Sequence, residues 1–116
     1  MENERRASQR LAILGNLQGE VMIFQPMRIT EIAPGGVQAE TAFPLQIDSL
    51  HDVRLVLDDI SLVTKARVAH CSIVEMDGEQ VQYRTGLHFV EPSNYVQSAI
   101  VAFAEMIKLE RHRPRA

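Results

Sequence analysis

Arg6 and Arg10 stand four apart in an N-terminal decapeptide that also holds Arg5, with no apolar stripe between them. A guanidinium forms paired bonds to phosphate and stacks on flat rings, so this spacing has the chemistry to grip phosphates or a purine face. On spacing alone the pair reads first as a solvated, disordered terminus. Further along, Glu31-Ile32-Ala33-Pro34-Gly35-Gly36 sets a carboxylate ahead of a glycine turn. Gly35-Gly36 lacks both the glycine spacing of a dinucleotide fold and the lysine of a phosphate-binding loop, and an ordinary turn accounts for it locally.

Catalytic chemistry has less to stand on. His51, His70, His88 and His112 fall on different elements, without an HExxH helix, paired cysteines or a short His-x-His spacing, so no metal site and no cofactor is expected. Cys71 follows His70 directly, but adjacent strand residues point to opposite faces, so the imidazole is badly placed to activate the thiol and Cys71 reads as packing. The sequence is read as that of a binding module and not an enzyme.

Composition narrows the partners. The 116 residues are 46% hydrophobic and 23% charged, which suits one globular domain whose core is built from aliphatic side chains. The chain has no Trp and only 5% aromatic residues, too few for a stacking platform on single-stranded nucleic acid. Its formal net charge of -3 hides a division. Three arginines against two glutamates leave residues 1–10 at +1, Lys108, Arg111, Arg113 and Arg115 against Glu110 leave residues 108–116 at +3, and the body between must carry -7. An acidic body is a poor match to DNA or RNA, whereas basic ends can close over a small, multiply anionic ligand. A single cysteine, a polar N-terminus unlike a secretory signal and the lack of a long apolar span predict a cytoplasmic protein with no integral membrane association.

The elements that must position these residues are mostly strands. Period-two patterning predicts strands over Gly19–Phe24, Met27–Ile32, Val37–Thr41, Val53–Leu57, Ile60–Glu75 and Gln80–Val90, with Gln46–Asp52 as a connecting loop. Alternation within the second strand puts Met27, Ile29 and Glu31 on one face. A two-residue turn at Asp77-Gly78 places His88 opposite Arg67. After Pro92, Ser93 is the expected N-cap of an amphipathic helix whose stripe is Val96, Ile100, Phe103 and Ile107. The sum is a mostly β, antiparallel six- or seven-stranded barrel with the C-terminal helix packed on one opening. The expected divisions are a flexible arginine-bearing segment over 1–17, a barrel over 18–91, a helix over 93–110 and a basic tail over 111–116. Val101 and Met106 are available to a dimer contact, and monomer and homodimer both stay open.

An Arg-x-x-x-Arg element before the first strand, a strand leading into a glycine turn, a barrel and a terminal helix together resemble the PilZ domain. Glu4-Arg5-Arg6-Ala7-Ser8-Gln9-Arg10 is similar to that family's first motif, and Tyr83-Arg84-Thr85-Gly86-Leu87-His88-Phe89 to its last barrel strand with a Gly-x-x-Phe pattern. The resemblance implies a bacterial receptor for cyclic di-GMP in which Arg6 and Arg10 hold phosphates and stack on guanine, with Arg5 as a further contact, and which passes its signal to an effector protein. The family's second motif, Asp/Asn-x-Ser-x-x-Gly, falls here on Glu31, Ala33 and Gly36. Glu31 keeps a carboxylate on a longer arm, Ala33 loses the hydroxyl, and only Gly36 is retained. The alternative is a PilZ-like protein-interaction module that no longer binds nucleotide.

Overall fold

The computed structural model describes residues 9–21, 25–78 and 80–111. Six antiparallel strands form a closed barrel: β1 (Leu11–Val21), β2 (Gln25–Ala33), β3 (Gly36–Thr41), β4 (Leu50–Leu57), β5 (Ile60–Asp77) and β6 (Gln80–Phe89). Around the barrel they run β1-β2-β3-β6-β5-β4, and β1 closes the ring by pairing Gly19 with Leu55 and Val21 with Val53 of β4. One helix follows, α1 (Asn94–Arg111).

Strict alternation on β4 and the first half of β5 explains the core. Val53, Leu55 and Leu57 point inward with Leu62, Thr64, Ala66 and Val68, while the residues between them face out. Ile29, Val53, Leu55, Ala66, Val68 and Ile100 are wholly enclosed, so aliphatic packing carries the barrel and Phe89 is its one buried aromatic residue among those described. Helix α1 closes one opening. Ser93 Oγ accepts from Val96 N at 3.2 Å as its N-cap, Val96 and Ile100 sink into the core, and Phe103 packs against it. At the far end of α1, Lys108 Nζ donates to Gln9 Oε1 at 3.2 Å and the Arg111 guanidinium donates to the Ala12 carbonyl, tying the last helical turns to the entry of β1.

Several boundaries differ from expectation, each for a physical reason. The first strand starts at Leu11 and not Gly19, so residues 11–17 belong to the barrel and not to a flexible segment. Its pairing with β2 shifts register between Ala12 and Leu17, and that irregular stretch destroys the alternation by which the strand would be recognised. Residues 22–24 of the expected strand lie outside the described residues. The polar Leu50–Asp52 stretch, expected as loop, pairs with Lys65–Arg67 at the start of β4, because backbone bonds and not side chains hold it. Asp48 just before it takes a left-handed φ of 72°. Helix α1 begins at Asn94, with Ser93 as its cap, and includes Arg111.

Candidate functional site

Period two puts Glu31 on the inner face with Met27 and Ile29, yet a carboxylate inside an aliphatic barrel would be costly. The structure avoids that cost with one extra residue. Ile29 pairs with Ala39 and Glu31 with Gln38, so Thr30 is a bulge, its hydroxyl donating to the Gln38 carbonyl at 3.1 Å. Beyond the bulge the parity inverts: Ile32 turns into the core and Glu31 onto the outer wall.

A second pair of irregularities acts on β5. The β5–β6 turn sits one residue later than expected, joining Asp77 to Gln80 around Gly78 at φ 62°. Bulges between Ile73 and Glu75 and between Val68 and His70 take up the difference, so His88 does stand opposite Arg67, by a different route. They also set His70 on the outer wall and turn Cys71 inward, where Thr85 Oγ1 donates to its Sγ at 3.5 Å.

These registers align one row across four strands: Glu31 on β2, Gln38 on β3, Gly86 on β6 and His70 on β5 are successive cross-strand partners. The next row toward the β2–β3 turn holds Gly36 beside His88. Together they bound a cleft of about 410 Å³ on the barrel's outer wall, within the range of small-ligand sites. Arg10 stands at its edge, its guanidinium 4.0 Å from Glu31 Oε2 and mostly exposed. At that distance and exposure the ion pair is weak, leaving the arginine available to an incoming anion.

Four residues singled out from the sequence, Arg10, Glu31, Ala33 and Gly36, therefore line one cleft. Arg5 and Arg6 lie outside the described residues. Gly36 has a structural duty of its own: a Cβ there would overlap the Leu87 carbonyl oxygen on β6. Gly86 is bare for a related reason, since the His70 imidazole lies over it. Gln38, His70, Gly86 and His88 were not expected at the site. The signal that connects them is cross-strand register, which three bulges hide from any count of alternation. No group of three or more His, Cys, Asp or Glu side chains able to hold a metal ion occurs among the described residues. No helix among them is long and apolar enough to cross a membrane.

No family model matches this sequence, and no curated protein matches it. Solved structures do. The PilZ domain with c-di-GMP of YcgR from Escherichia coli matches with a TM-score of 0.74 at 19% identity, over 92% of this chain and 94% of that one. The Bacillus subtilis inhibitor of motility MotI/DgrA gives 0.71 at 15%, over 89% and 50%. The MrkH–c-di-GMP complex of K. pneumonia gives 0.69 at 16%, over 90% and 54%. This chain thus spans nearly all of the first structure and about half the length of the other two. At these identities the match establishes the architecture, a PilZ-like fold.

Proposed function

We propose that this chain is a non-enzymatic receptor for cyclic di-GMP, with the ligand seated in the outer-wall cleft. The observation that carries the reading is convergence: Arg10, just before β1, and Glu31, Ala33 and Gly36, around the β2–β3 turn, come from two separate stretches of chain and line one cleft on a PilZ-like barrel. Two of the similar structures, YcgR and MrkH, are described with c-di-GMP.

Each residue has a role set by its chemistry. The guanidinium of Arg10, with Arg6 and Arg5 from the same segment, offers charge-assisted bonds to the two phosphates and a flat cation to stack on guanine. Glu31 accepts from guanine N–H donors. Ala33 offers no side-chain hydrogen bond; relative to a serine that costs about 0.5–1.5 kcal/mol, roughly threefold to tenfold in affinity. Gly36 keeps the cleft floor open while letting β3 approach β6.

Ordering of the arginine segment is the signal. Lys108 and Arg111 of α1 bond to Gln9 and Ala12, on either side of Arg10, so a ligand that draws in Arg10 also acts on the helix that an effector protein would read. A second reading, a PilZ-like interaction module without nucleotide, is favoured by the departures from the motif at Glu31 and Ala33. Calorimetric titration separates the two: the receptor binds cyclic di-GMP at tens of micromolar protein and loses at least tenfold in affinity on Arg10→Ala. Absence of heat, with no displacement of labelled ligand, refutes it.

A further inference from the structure

Gln38 stands between two charged groups on the cleft wall. With its amide nitrogen toward Glu31 and its oxygen toward Arg84, it donates to Glu31 Oε2 and accepts from Arg84 Nε at 3.2 Å. A carboxylate only accepts and a guanidinium only donates, so this one orientation of the amide satisfies both neighbours. The fold makes the chain of contacts: Gln38 is the cross-strand partner of both Glu31 and Gly86, and Arg84 lies two residues before Gly86 on the same outer face of β6.

On the reading of the cleft as a cyclic di-GMP site, we propose that Gln38 and Arg84 are positioning residues that hold the Glu31 carboxylate toward the ligand and so set its preference for guanine over adenine. Glu31 has one more torsion than the aspartate that the PilZ pattern carries at this position, and the cost of ordering it falls on ligand binding unless the free protein already holds it. Gln38 supplies that hold through its bond to Glu31 Oε2. Among the described residues no hydrogen bond engages Oε1, so it and the remaining lone pair of Oε2 can accept. Guanine presents N1–H and N2–H donors to a fixed carboxylate, whereas adenine turns the lone pair of its N1 toward the same oxygens. A fixed carboxylate therefore discriminates between the bases more sharply than one free to swing away.

The test titrates the full chain and its Gln38→Leu and Arg84→Gln variants with cyclic di-GMP and cyclic di-AMP, alone and in a Glu31→Ala background. Thermal melting confirms that each variant is folded. Gln38→Leu is expected to weaken cyclic di-GMP about fivefold to tenfold and leave cyclic di-AMP unchanged, so that selectivity falls by the same factor. Arg84→Gln is expected to give a smaller loss of the same kind. In the Glu31→Ala background Gln38→Leu should change neither ligand, because its effect runs through the carboxylate. An undiminished Gln38→Leu effect without Glu31, equal losses for both ligands, or no loss at all overturns the positioning role while the receptor reading stands. A wild-type chain that binds neither dinucleotide overturns both.

Discussion

Replacing Gly36 with alanine separates what the strand requires from what a ligand requires. A Cβ on Gly36 overlaps the Leu87 carbonyl oxygen and lies 3.2 Å from both Leu87 C and His88 Cα, all backbone atoms that cannot rotate away. Restoring ordinary contact means parting β3 from β6 by roughly 1 Å. Overpacking of this kind costs about 1–3 kcal/mol, and lengthening the neighbouring ladder bonds adds about 1 kcal/mol. The lower entropy of an unfolded chain carrying alanine returns about 0.4–1 kcal/mol. The expected net loss is about 2–3 kcal/mol, a fall in Tm of about 10 °C for a domain of this size. Gly35→Ala is the matched control: nothing lies within 4 Å of its Cβ position, so its stability should stay within about 0.5 kcal/mol of the parent. Thermal unfolding followed by circular dichroism, with and without cyclic di-GMP, reads both variants. A Gly36→Ala protein that melts within about 2 °C of the parent but no longer binds ligand would refute the reasoning, since the glycine would then answer to the ligand and not to β6.

Other substitutions test the remaining links. Ile100→Ala removes a wholly enclosed side chain from the helix–barrel contact and should cost about 2–5 kcal/mol, read as a lower urea midpoint. Ser93→Ala deletes the N-cap bond to Val96 and should cost about 1 kcal/mol in the same assay. Arg10→Ala should leave Tm within about 2 °C, because its ion pair with Glu31 is long and exposed, while cyclic di-GMP affinity falls at least tenfold.

The fold was legible in the sequence where alternation is unbroken and where side chains cap or stripe an element. Val53–Leu57 shows its inner and outer faces directly, and Ser93 with the Val96, Ile100, Phe103 stripe places α1 to within a residue or two of its ends. What escaped is what a period-two count cannot carry. Leu11–Gln18 reads as a tail because its pairing slips, although Leu11 and Leu17 are buried. Glu31 reads as facing inward because Thr30 looks like any other strand residue until its partner strand is known. The arginine at position 10, the carboxylate and the glycine turn could each be picked out by residue type. The wall that joins them, Gln38 with Gly86 and His70, is a product of register, and register depends on bulges that local propensity does not encode.

The most direct measurement follows backbone amides of the isotopically labelled chain by NMR while cyclic di-GMP is added. Saturable shifts are expected at Arg10, the stretch from Glu31 to Gln38 (excluding Pro34), His70 and Gly86 to His88, all on the walls of one cleft, and beyond it at Arg5, Arg6 and the last turn of α1, which bonds to Gln9 and Ala12. Amides around the β4–β5 turn at Asp58-Asp59, away from that cleft, should stay in place. A spectrum that does not change, or shifts that map to the β4–β5 turn and leave the cleft untouched, would contradict it.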